Sequence, residues 1–192
     1  MTTIAAPTPT PARRPARWAL LPLTVGALVA ILVGLVARWQ TTASGKPEGG
    51  YFDLFFSDPI HLKAWLATGA AVLACFQLFT AAWMYRRLLF APHRVVNIVH
   101  RWSGRTAFVL TLPVAYHCLF KLGYQGEDDR VVLHSVVGCA FYGAYAAKVL
   151  VVKMKRYPIW VIPTIGGLLF TSLVTVWYTS AYWFFTLVGE GF

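Results

Sequence analysis

The sequence predicts an all-α membrane protein: one bundle of five transmembrane helices, with the N-terminus inside and the C-terminus outside. Three observations predict it. Of 192 residues, 58% are hydrophobic and only 12% charged, and the mean hydropathy is +0.59, far from the composition of a soluble domain. Several apolar runs reach the roughly 20 residues needed to cross a bilayer. The connecting segments also separate by charge, basic on one side and acidic on the other.

Residues 1–16 are rich in Pro, Thr and Ala and carry Arg13 and Arg14, with Arg17 directly after, which predicts a disordered basic tail. The remainder, 17–192, reads as a single five-helix domain. The apolar stretch from Trp18 to Ala37 is longer than a signal-peptide core and is expected to be retained as the first helix. Its Gly26, Ala30 and Gly34 fall four apart, a small-residue face suited to close packing.

Residues 38–58 form a polar loop followed by the aromatic run YFDLFFSDP, which suits a headgroup zone. Asp58 and Pro59 then give an N-cap and first-turn signal for a second helix reaching about Tyr85. The connector LLFAPHRVVNIVHR suits a short interfacial helix and holds His93 and His100. A third helix is expected from His100 to Leu122, with a kink at Pro113. After the acidic loop GYQGEDDR, a fourth runs from Val131 to about Val152, and a fifth from Pro158 to Val188.

Orientation follows from Lys and Arg. With the N-terminus inside, only Arg38, Lys46, Lys63, Lys121 and Arg130 of the 17 basic residues fall outside. All seven acidic residues, Glu48, Asp53, Asp58, Glu127, Asp128, Asp129 and Glu190, fall outside as well. The net charge of +10 is therefore a feature of the cytoplasmic leaflet and does not point to nucleic acid.

This topology sorts the histidines, which are costly within a bilayer. His61, His117 and His134 lie towards the outer end, His93 and His100 towards the inner. His117 precedes Lys121 by one turn and His134 follows Arg130 by one turn, so both sit about 5 Å inside the charged boundary. Two imidazoles at matched depth on consecutive antiparallel helices suit the two axial positions of a b-type haem. Gly138, four residues after His134, removes a side chain on the same face, and Gly104 stands in the same relation to His100. Basic partners for propionates are Lys121, Arg130 and Lys63 outside and Arg101 and Arg105 inside.

The expected site is thus an outer haem b on His117 and His134, with His61–His134 as the rival pair and the core of the haem bundle at about 59–152. A second, inner haem would use His100 and needs a partner, for which His93 and Met84 are the nearby residues. His100 and His117 are seventeen residues apart, roughly 25 Å along the axis and about 100° off-face on an ideal helix, an offset that a kink at Pro113 would alter. Trp177, Tyr178, Tyr182 and Trp183 read as interface anchors that could also wall a pocket. Cys75, Cys118 and Cys139 read as apolar core, Lys148 as a snorkelling cation, and no Cys-x-x-Cys, Walker-type or nucleophile-elbow motif occurs.

The motif HRWSGR with a later histidine, and HSVVGCAFYG opening the next helix, resemble membrane b-type cytochromes of the cytochrome b561 and ferric-reductase transmembrane kind. The hairpin with PVAYHC also resembles an uncharacterised family of small actinobacterial membrane proteins. The likeness spans roughly residues 60–150. It implies a multi-pass protein of the bacterial plasma membrane that moves single electrons to or from a redox partner protein or quinone, alone or as part of a membrane oxidoreductase. The usual four-ligand, two-haem set is incomplete in this sequence. Two other readings stand beside this one. One is a cofactor-free membrane subunit or assembly factor of a respiratory complex; the other is an outer Zn or Cu site on His61, His117 and His134.

Overall fold

A computed structural model describes residues 19–43, 50–87, 93–126 and 128–187. The basic N-terminal tail and the first five residues of the connector, 88–92, lie outside these residues; the rest of the connector, expected to hold a separate interfacial helix, is the start of the third long helix. Within them the chain is all-helical: α1 Leu21–Ala43, α2 Pro59–Met84, α3 Arg94–Tyr116, α4 Asp129–Met154, α5 Val161–Trp177 and α6 Trp183–Leu187. A π segment, His117–Leu122, extends α3, and another, Tyr178–Tyr182, joins α5 to α6.

Four of the resulting rods are long and apolar enough to cross a membrane: Leu21–Gln40, Pro59–Met84, Asp129–Met154 and Val161–Thr186. The third runs their length but carries Arg94, Arg101 and Arg105, and so falls short of that apolar standard. It also starts earlier than expected, at Arg94, because the His93 ring caps it by accepting from Val95 N at 3.3 Å. Asp58 caps α2 as the sequence predicts, accepting from Ile60 N and His61 N, with Pro59 in the first turn.

The rods form a ring. α2 packs on α3 and α5, α4 packs on α5 and α1, and α1 closes the circuit against the π segment of α3. Tyr124 N donates to Ala37 O at 3.2 Å and fixes that closure. One end of the bundle carries Asp53, Asp58, Asp128 and Asp129; the other carries Arg86, Arg87, Arg94, Lys153, Lys155 and Arg156. These are called the acidic and basic ends below.

The α1–α4 crossing rests on glycine. A Cβ on Gly26 would lie 2.8 Å from the Gly143 carbonyl and 3.0 Å from the Ala147 Cβ, and one on Gly143 would lie 2.8 Å from the Ala30 Cβ. The small-residue face of α1 therefore has its partner on α4, where the two backbones touch. Large apolar side chains such as Leu28, Leu32, Val72, Val109 and Leu168 point outward from the ring. In hydrocarbon such exposure would carry no penalty, and close contact rather than burial from water would hold the bundle.

Replacing Gly143 with Val should force the α1–α4 crossing apart and cost about 1–3 kcal/mol. Gly166→Val, where an added Cβ meets nothing within 4 Å, is the control. Thermal unfolding in detergent reads the difference, and equal melting temperatures would refute the close crossing.

Candidate functional site

α3 and α4 do not pack backbone against backbone. Rings bridge them instead. Phe108 stacks on Tyr145 with centroids 3.8 Å apart and planes 8° apart, and the Tyr142 hydroxyl donates to Thr111 O at 3.1 Å. Towards the acidic end the gap opens into a chamber of about 400 Å³ lined by all the long helices, a volume typical of small-molecule sites. Thr111 and Tyr142 form its floor, while Lys63, Arg130 and His134 supply its ionisable wall.

Both π segments border this chamber, through Cys118 and Leu119 on one side and Thr179 and Ser180 on the other. Each has a local cause. Pro113 lacks the N–H that would continue the α ladder; the π segment begins four residues later at His117, and at its end Gly123 N closes a five-residue loop to Cys118 O. In the second segment, Thr179 and Ser180 turn their hydroxyls back onto Thr175 O and Val176 O, which loosens the ladder. Such widened turns recur at functional sites.

His134 faces the chamber. Its Nδ1 lies 3.1 Å from Thr179 Oγ1. The same hydroxyl lies 2.8 Å from Thr175 O and 3.2 Å from Val176 O, so Thr179 ties the imidazole to the backbone of the second π segment and fixes its orientation. Arg130 is anchored beside it: it donates to Thr179 O at 2.5 Å, pairs with Asp128 at 3.6 Å and lies 4.1 Å over the Trp183 ring. At Gly138 an added Cβ would meet nothing within 4 Å, so the face one turn from His134 is open, as the sequence predicts.

His117 is elsewhere. It is fully buried, donates from Nδ1 to Pro113 O at 2.9 Å and accepts at Nε2 from Phe52 N at 3.4 Å. Phe52 and Tyr51 cover its ring, with centroids at 4.5 and 6.0 Å. The aromatic run expected in the headgroup zone thus folds down onto this histidine, and His117 is absent from the chamber lining. His61 is turned away as well. It binds Asp58 through Nδ1 at 2.5 Å and meets the edge of Phe184. The matched depth of the histidines does not bring them together, because depth fixes height on a helix and not the direction of a side chain. Among the described residues no three of His, Cys, Asp and Glu converge, which corrects the expectation of an outer Zn or Cu site.

At the basic end, His100 Nδ1 lies 2.8 Å from Thr80 Oγ1, and Gln77 donates to His100 O and Ser103 Oγ. The space beside Gly104 is filled by the Gln77 amide, whose Oε1 would lie 2.9 Å from an added Cβ. Gly104 therefore seats a polar clamp between α2 and α3. Of the aromatic quartet, Trp177 and Trp183 line the chamber, while Tyr178 and Tyr182 stack on each other and stay exposed. Cys75, Cys118 and Cys139 are free thiols; the sequence does not signal that Cys118 and Cys139 line the chamber.

A family model described as a family of unknown function, DUF6529, matches residues 19–192. No curated protein and no solved structure matches the chain.

The Asp58 carboxyl is held down at about 2, chiefly by the backbone amide of His61, with help from its ring and from Ile60 N. A depressed carboxyl contributes stability above its ordinary pKa of 3.8 and loses it as pH falls towards about 2. Amide exchange in the first turn of α2 should therefore accelerate across that window in the native protein. Asp58→Ala should already exchange fast at neutral pH and show no further step.

Proposed function

The chain belongs to the DUF6529 family, whose function is unknown, and for this member we propose a multi-pass b-type haem protein that transfers single electrons, with His134 as the axial imidazole. The observation that carries the reading is the placement of His134, which lines a largely apolar chamber with its Nδ1 held 3.1 Å from Thr179 Oγ1. The likeness of HRWSGR and HSVVGCAFYG to cytochrome b561-type motifs agrees with it. Bound there, haem supplies a one-electron iron couple.

The residues around the chamber have separable roles. His134 gives the ligand and Thr179 fixes its orientation. Lys63 and Arg130 stand where carboxylates of the macrocycle would need cations. Gly138 leaves the approach to His134 open. His117 and His61 hold the covering loop and the start of α2, so the geometry favours one imidazole ligand over the bis-His pair expected from sequence. In this reading all five long helices span the bacterial plasma membrane. The basic end lies in the cytoplasm by the Lys/Arg rule, and the haem stands near the outer face, within reach of a redox protein or a quinone.

The test is the visible spectrum of the purified protein. We expect a Soret band that shifts on dithionite, with about one haem per chain. His134→Ala should lose at least tenfold of it, whereas His117→Ala and His61→Ala should keep it. Gly138→Leu should reduce haem occupancy without unfolding the bundle. A folded, colourless protein would favour the cofactor-free subunit, and loss of colour in His117→Ala but not His134→Ala would overturn the ligand assignment.

A further inference from the structure

α4 packs on α1 and α5, so the parts of α2 and α3 that line the chamber stand across the bundle from His134. α3 presents Thr111, Ala115 and Cys118 there, at steps of four and three residues along one face. His117 is one residue from Cys118 and so about 100° round the helix, with its ring held by Pro113 O and Phe52 N. The small thiol of Cys118 therefore stands in the lining where a bis-His site would need an imidazole. α2 presents Lys63, Ala64 and Ala67 to the same chamber, while His61 is bound to Asp58. All five histidines are among the described residues, and of them His134 alone lines the chamber. The described methionines, Met84 and Met154, close α2 and α4 at the basic end.

An iron held by His134 on one side turns its other axial position towards this wall. The small side chains leave room there, and the polar groups offer little to a ligand. Tyr142 donates its proton to Thr111, and Thr111 donates its own to Phe108 O at 2.7 Å. The Cys118 thiol is a weak donor. Lys63 and Arg130 are the cations that the reading above engages with carboxylates of the macrocycle. An anionic ligand would thus give up its hydration in a largely apolar chamber without a counter-charge. A diatomic gas has almost no hydration to lose. Polarity, donors and steric access on this side of a haem decide what it does. A wall of small apolar residues with its hydroxyls spent suits a ligand that needs no hydrogen bond to stay.

We propose that the α2–α3 wall opposite His134 receives a small uncharged iron ligand of the carbon monoxide or nitric oxide class, in the place that a second imidazole holds in a bis-His cytochrome. The inference rests on the haem reading and adds a ligand-binding role to it. Ala115 and Cys118 set the space available to the ligand, and neither binds the iron.

The experiment is a carbon monoxide titration of the purified full chain after reduction with dithionite, read in the Soret region. Carbon monoxide should shift the band, and the oxidised protein should give the electron paramagnetic resonance of high-spin iron. Ala115→Leu should weaken carbon monoxide binding about tenfold at unchanged haem content. Where that variant loses haem, Cys118→Leu places the bulk one turn further along the same face. Val109→Leu, on the exposed side of α3, should leave the affinity intact, and so should Cys118→Ala. A red protein with low-spin iron and no response to carbon monoxide overturns this inference and leaves the haem reading standing. A response that appears only in Cys118→Ala overturns it too, because the thiol then holds the position. Equal affinities in Ala115→Leu and Val109→Leu remove the ligand from this wall. A folded, colourless protein overturns both readings.

Discussion

The separation of α3 from α4 is the constraint on which the rest of this structure depends. These helices are joined by a short loop and would ordinarily pack along their length. Here α4 gives its close contact to α1 instead, where Gly26 and Gly143 let two backbones touch. α1 then reaches the third helix through the π segment. Rings fill part of what remains: Phe108 on Tyr145 and Tyr142 on Thr111. Above those rings lies the chamber that His134 faces.

The two π segments show how local defects serve this arrangement. A widened turn forfeits regular hydrogen bonds, yet each occurs where a side chain or a proline gives a reason. Thr179 is the clearest case. Its hydroxyl reaches the backbone of its own helix and the His134 ring together. The residue that loosens the α5 ladder thus also orients the histidine on α4.

Charge segregation has a comparable reach. The described acidic side chains, Asp53, Asp58, Asp128 and Asp129, all lie at one end of the bundle, so among the described residues the cations of the other end have no carboxylate near them. Arg130, at the acidic end, finds Asp128, Thr179 O and Trp183. Arg105 has the Trp102 ring, and among the described residues no carboxylate pairs with Lys148.

The sequence by itself determined the helices, most of their limits, the Asp58 cap and the division of charge, because these follow from runs of apolar residues and from nearest neighbours. It also placed His61, His117 and His134 at one level, since height along a helix is a matter of counting. Azimuth is not. Which histidine faces a shared space depends on which helices touch, and that was decided by the α1–α4 glycine contact and by two π turns that rotate the segments after Pro113 and Trp177. His117 therefore meets the folded-back Tyr51 and Phe52, and His61 meets Asp58 and Phe184, while His134 alone of the three turns inward. Gly138 and Gly104 read alike in sequence, each four residues after a histidine. Only the packing of α2 on α3 distinguishes them, because it fills one space with the Gln77 amide and leaves the other open.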